Sequence, residues 1–199
     1  SNLSPQQVIS LLIGAVIEDQ AGNAVMPINI SFTTASLPQE RQVKADGSGD
    51  YSTIQEAVDA AGNGDTILVG DGVYRENISI WNKDLILLSE NGPTGTVIDG
   101  GQSDRCVNIS GSSIVEMKGF TLTNGLSNDG AGIKMDVDQP VLLDNLYIRG
   151  NQSTGNGGGI SIRGDGKVVI NACRIYRNEC VSSGGGIVNS GDNVIIQNS

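Results

Sequence analysis

A step of 27 residues governs the second half of this chain. Setting "VLLDNLYIRGNQSTGNGGGISIRGD" above "VVINACRIYRNECVSSGGGIVNSGD" brings Val141 over Val168, Leu146 over Cys173, Ile148 over Ile175, Asn151 over Asn178, Gly159 over Gly186 and Ile160 over Ile187, each pair 27 residues apart. The step runs back to Gly130, Gly132, Ile133 and Asp138, and forward to Asp192 and Ile195, so three consecutive units share one period. Within a unit, apolar residues alternate in short runs such as Leu146-Tyr147-Ile148 and Ile160-Ser161-Ile162, broken by Gly, Asn, Ser and Asp. That is strand patterning punctuated by turns, without helical periodicity. A unit this short cannot bury its own apolar face, whereas stacked units bury one continuous column. The expected fold is all-β, a right-handed parallel β-helix in which each coil lies about 4.8 Å above the last. Ile133, Ile160 and Ile187 then line the interior, and Asn124, Asn151 and Asn178 form a row of stacked amides at a turn.

Earlier stretches, "TILVGDGVYRENISI" and "CVNISGSSIVEMKGFTLTNG" among them, carry the same grammar less regularly. The open end of such a column exposes strand edges and apolar side chains, and something must plug it. In "STIQEAVDAA", Ile54, Ala57, Val58 and Ala61 fall at i, i+3, i+4 and i+7, which predicts an amphipathic cap helix over about residues 53–61. Ser52 or Thr53 is the N-cap, with Gln55 or Glu56 completing a capping box, and "GNGD" at 62–65 ends the helix with a glycine in the C-cap region. Asp46 and Asp50 have calcium-loop spacing, but no third and fourth ligand follows before the helix, so the segment reads as the entrance to the fold. Residues 1–35 read as two strands around a turn at Asp19–Asn23, 36–42 as a linker, and 43–199 as the β-helix, regular from about 112. The final "NVIIQNS" aligns with the start of a coil, which implies a piece of a larger multidomain chain.

With aromatics at 4% and 28 glycines, the core must be built from small and β-branched side chains between tight turns. The 22 acidic against 12 basic residues, a net charge of −10, weigh against nucleic acid and against an anionic membrane surface. No apolar stretch is long enough for membrane insertion. Histidine is absent, which excludes a Ser-His-Asp hydrolase and a histidine-ligated zinc centre from this segment. Three cysteines make no disulfide framework. Cys173 replaces Leu146 in an inward register and is expected to be buried; Cys106, ahead of the alternating Val107 and Ile109, is expected to point outward; a Cys173–Cys180 bridge is not expected. The lone Trp81, at a strand end, is expected to pack on the coil edge rather than stand free as a sugar platform.

The residues from 43 onward resemble the pectin-lyase-like superfamily of right-handed parallel β-helices. "VKADGSGDYSTIQEAVDAAGNGDTILVGDGVYRENISI" is similar to the start of a pectin methylesterase, and the later Gly-Gly-Gly-Ile repeats resemble bacterial and archaeal surface β-helices, including polymorphic outer-membrane proteins. Gly14, Asp19, Gly22, Asn23, Phe32, Thr33 and Thr34 resemble the last hairpin of bacterial Ig-like domains, so the N-terminal β-hairpin is expected to be a remnant of such a module. A fold shared by lyases, esterases, adhesins and stalks does not by itself fix an activity.

The methylesterase resemblance implies two aspartates, one nucleophile and one acid/base, with glutamines for the oxyanion and an arginine holding the nucleophile. Their Gln-Ala-Val-Ala-Leu segment would fall at Gly130-Ala131-Gly132-Ile133, without a glutamine. Their Gly-x-Gln-Asp-Thr-Leu segment is echoed by Gly150-Asn151-Gln152-Ser153-Thr154, with Ser153 at the first aspartate, and the second aspartate would fall near Cys180-Val181-Ser182. A pectate-lyase resemblance implies instead an aspartate cluster holding calcium beside a basic residue. Asp138, Asp165 and Asp192, recurring at the 27-residue step, are the candidate metal column, with Arg149, Arg163, Arg174 and Arg177 on neighbouring strands. Turn geometry alone also accounts for such recurrent aspartates.

The expected function is a non-catalytic, adhesin-like module of a secreted or cell-surface prokaryotic protein, contacting polysaccharide or other surface glycans. It has no catalytic residues and no required cofactor, calcium at the aspartate column being the one candidate. The alternative is a polysaccharide-active enzyme, lyase before esterase, with its site degenerate or outside this chain.

Overall fold

The computed structural model describes residues 8–13, 28–33 and 37–199, the first two stretches by backbone alone. The chain divides into two compact units, Ser1–Leu37 and Pro38–Ser199. In the first, Val8–Ile13 and Ile28–Thr33 pair antiparallel, with Val8 opposite Thr33 and Ile13 opposite Ile28. The expected turn at Asp19–Asn23 lies outside the described residues.

The second unit is a right-handed parallel β-helix. Its seven-stranded sheet stacks Glu40–Val43, Asp65–Val69, Leu85–Ser89, Val115–Lys118, Val141–Asp144, Val168–Asn171 and Val194–Gln197, every pairing parallel. A five-stranded sheet runs from Gly72–Tyr74 to Arg174–Tyr176, and a second, called here the groove sheet, contains Ile78–Trp81, Val107–Gly111, Ile133–Val137, Ile160–Arg163 and Ile187–Asn189. Between them Leu126–Asp129, Gln152–Asn156 and Glu179–Cys180 form a short three-stranded sheet. Residues 40–42, expected in a linker, are instead part of the first rung. Only Val43 of that strand is buried, so its polar neighbours hid it from pattern reading.

The interior is one apolar column. Ile133 lies opposite Ile160 and Ile160 opposite Ile187, as the period implied. The triple glycines are required by close approach: Gly158 N–H donates to Gly184 O and Gly159 N–H to Gly185 O, while a Cβ on Gly159 would come within 2.4 Å of Gly186 O. The step is not uniform. Val115, Val141, Val168 and Val194 are successive partners at steps of 26, 27 and 26, and upstream Asp65, Leu85 and Val115 are 20 and 30 apart.

That one-residue difference corrects the asparagine row. Asn151 is fully buried; its Nδ2 donates to Asn178 Oδ1 at 3.0 Å and to Leu122 O at 3.1 Å, and Asn178 Nδ2 donates to Ile148 O at 2.8 Å. The group facing Asn151 from the coil below is Gly125, whose N–H donates to Asn151 Oδ1 at 2.8 Å. Asn124 therefore stands outside the ladder, at a positive φ of 56°.

The cap helix, α1 (Ile54–Ala60), buries Ile54, Ala57 and Val58. Thr53 is its N-cap, accepting from Glu56 N–H at 3.3 Å. The C-terminus does not use the expected glycine, because Ala61 is the C-cap in an extended conformation. The last carbonyls are taken instead by Lys83, whose Nζ donates to Val58 O, Asp59 O and Ala61 O at 2.6, 2.8 and 3.1 Å. At the other end Glu76 accepts from Ile54 N–H and Gln55 N–H, both at 2.9 Å. An acid at the positive end and a base at the negative end match the helix dipole. Asp46 and Asp50 serve the entrance: Asp46 Oδ1 accepts from Ser48 N–H and Oγ, and Asp50 Oδ2 from Gln42 N–H.

Candidate functional site

Inward positions of a β-helix fill the column, so chemistry has to sit on outward positions and turns. On the groove sheet Ile80, Ile109 and Met135 point inward and are fully buried. Alternation then turns two registers outward, Ser79–Asn108–Lys134 and Trp81–Ser110–Asp136–Arg163. A groove of about 350 Å³ follows the first of these, lined by Asn77, Ser79, Asp104, Arg105, Asn108 and Lys134. Asn77 braces it, donating to Gly100 O and Arg105 O, and Arg105 Nη2 donates to Ser127 Oγ at 2.8 Å. At the groove's side Asp129 Oδ2 sits 3.0 Å from Arg163 Nη2 and 3.6 Å from Lys134 Nζ. Asp129 Oδ1 is buried without a hydrogen-bond partner. Three of the chain's 12 basic residues thus gather on this face, Arg105 beside Asp104 at 3.4 Å and the other two beside Asp129.

A smaller pocket of about 220 Å³ opens on the three-stranded sheet, lined by Leu126, Gln152, Ser153, Thr154, Glu179, Cys180 and Val181. Ser153 lies directly opposite Cys180, and Gln152 opposite Glu179. Ser153, where the methylesterase resemblance asks for its first aspartate, is thus paired with the first residue of the Cys180–Ser182 segment near which the second was expected, and neither member of the pair is a carboxylate. Ser153 is buried and spent on its own turn, donating to Asn156 O at 2.8 Å and accepting from Gly155 N–H. Gln152 and Glu179 are exposed on the outward side of the same pair. Glu179 escaped the sequence reading because it stands one residue from the position sought.

A hollow of about 630 Å³ on the seven-stranded sheet is mainly aliphatic, a poor lining for a hydroxyl-rich polymer. Asp138, Asp165 and Asp192 lie exposed in turns after successive strands of the groove sheet. Asp138 accepts from Ser112 Oγ at 3.1 Å, and among the described residues no three acidic, cysteine or histidine side chains are grouped to hold a metal ion. Of the four arginines, Arg163 pairs with Asp129, and Arg174 lies over the Tyr147 ring at 5.2 Å.

Two expectations about single residues are corrected. Cys106 is fully buried, its thiol 3.2 Å from Thr123 O, because it closes a turn before the alternating strand begins. Trp81 is 68% exposed rather than packed on the coil edge, since its strand keeps alternating to the last residue. Cys173 is buried as expected, and all three cysteines are free thiols.

A coiled column with a polar, charge-paired outer groove defines a parallel β-helix protein. The pectinesterase family model matches residues 40–190, and the chain belongs to that family. A pectinesterase of Petunia integrifolia is 33% identical over 129 residues, covering 56% of this chain and 34% of its own. A probable pectinesterase/pectinesterase inhibitor of Arabidopsis thaliana is 40% identical over 82 residues, covering 40% of this chain and 16% of its own. The pectin methylesterase from carrot shares the fold with a TM-score of 0.50 at 23% identity, over 70% of this chain and 53% of that one. The chain thus spans well under two thirds of these relatives. Family membership overturns the expectation of a non-catalytic prokaryotic adhesin, and within the enzyme alternative it favours an esterase over a lyase. Gly-Gly-Gly-Ile repeats misled here because they answer a packing need, not a function.

Proposed function

We propose that this chain serves the de-esterification of pectin, a methyl-esterified galacturonan, outside the cell where such polymers lie. The observation that supports the reading is the pairing of Gln152 with Glu179 beside Ser153 and Cys180, at a pocket close to where the resemblance expects its acid positions. Without a carboxylate at either position, a covalent aspartyl route has no nucleophile. Hydrolysis on this chain runs through water instead: Glu179 takes a proton from a water whose oxygen attacks the ester carbonyl, Gln152 donates to the oxyanion, and the proton returns to the departing methanol. Arg105, Lys134 and Arg163, although each stands beside Asp104 or Asp129, offer hydrogen-bond donors to the galacturonate carboxylates the reaction leaves behind.

Methanol release from highly esterified pectin by the purified protein tests the reading. Release should fall at least about a hundredfold in Glu179→Gln, the usual size of a general-base contribution. No release by the wild-type chain would overturn the activity, and full release by Glu179→Gln would overturn the role of Glu179.

A further inference from the structure

We infer that Trp81 is the aromatic platform of a saccharide subsite at the edge of the groove sheet. The inference deepens the pectin reading and rests on it. A chain with one tryptophan leaves it 68% exposed, on the strand that also supplies Ser79 to the polar groove. A bare indole in water is the arrangement that needs a reason, because burying aromatic area is favourable. The side chain is also placed. Its strand neighbour is Ser110, and Gly111 at φ +72° leaves room beside the ring, since a Cβ there would stand 3.3 Å from Trp81 Cδ1 and 2.2 Å from Asn82 Oδ1. Asn82 Oδ1 in turn accepts from Ser112 N–H at 2.9 Å, tying the segment that carries Trp81 to the next coil.

The neighbourhood suits a sugar. Ser79 and Trp81 project from the same face about 6.6 Å apart, and Asn108, Ser110, Lys134 and Asp136 follow on the next rungs at about 4.8 Å. An apolar ring face beside hydroxyl, amide, carboxylate and ammonium groups offers contact for the C–H face of a pyranose, and donors and acceptors for the hydroxyls of its rim. Lys134, which reaches Asp129 at 3.6 Å, has further N–H donors for a uronate carboxylate. The ligand class is an oligogalacturonide lying across the rungs, with Trp81 under one ring.

Because Trp81 is the sole tryptophan, intrinsic fluorescence reports on this position directly. Titration with short oligogalacturonides, free and methyl-esterified, should give a saturable change in emission. By calorimetry, Trp81→Ala should bind about tenfold more weakly while Trp81→Phe keeps most of the affinity. An exposed position makes both variants tolerable to the fold, which circular dichroism verifies. Unchanged affinity in Trp81→Ala, or no binding by the wild-type chain, overturns the subsite. Saturable binding without methanol release sinks the esterase reading and leaves the subsite standing.

Discussion

Cys106 and Cys180 show how far one residue's surroundings decide its chemistry. Burial pushes the Cys106 thiol up to about 12 and the Cys173 thiol up to about 11, so neither supplies thiolate at neutral pH. Cys180 is only half-buried, in the small pocket. A thiol reagent at neutral pH should therefore titrate one group in the native protein and three in denaturant, with Cys180→Ser abolishing the native signal; reaction of Cys106 at a comparable rate would contradict its burial. Residue-level reading went wrong where a turn interrupts alternation. It had no means of seeing that Cys106 closes a turn against Thr123 O, or that a 26-residue step sets Gly125, rather than Asn124, against Asn151. It succeeded at Ile133, Ile160 and Cys173, where pattern and packing agree. At the site it noted Gln152 and Ser153 as the echo of a motif, missed Asp129 and Lys134, and set Arg163 beside the aspartate column rather than against Asp129, because these groups meet only once coils stack.

At the level of elements, α1 is legible as a helix and illegible as a clamped one. Its apolar spacing and Thr53 cap are local, whereas Glu76 and Lys83 reach it from later segments. Seven residues are too few to hold a helix in water, so these outside partners and the burial of Ile54 and Val58 must supply its stability. Lys83→Met should cost about 2–3 kcal/mol, because it strips three carbonyls of a charged donor, and Glu76→Gln about 1 kcal/mol. Urea denaturation of the two variants measures this; a Lys83→Met protein as stable as wild type would show that the three lysine hydrogen bonds contribute no net stability. The first strand of the β-helix is the opposite case: Glu40–Val43 shows no alternation strong enough to be read, yet it pairs along its whole length with Asp65–Val69.

For the molecule as a whole, acid should be the weak point. Burial raises the Asp65 carboxyl, but hydrogen bonds from Gln39 N–H and Gly62 N–H and the Arg41 guanidinium outweigh it and hold the group below its usual range. Asp144 behaves alike: burial raises it, and Asn171 and Lys118 more than compensate. A carboxyl depressed in the folded state binds fewer protons there than in the unfolded chain. Its contribution is complete above the unfolded value of about 3.9 and is lost as pH falls through the lower folded value. Melting temperature should thus hold from neutrality to about pH 4 and drop below it, and Asp65→Asn should melt lower at neutral pH with a shallower acid decline; an unchanged acid slope would exclude Asp65 as a source. The clamp on α1 also sets an order in time. Lys83 follows Val58 by 25 residues, so at ordinary synthesis rates of about 5–20 residues per second the helix leaves the ribosome roughly one to five seconds before its lysine. The piece that closes the column is made early and secured late, its lysine arriving just ahead of the Leu85–Ser89 rung.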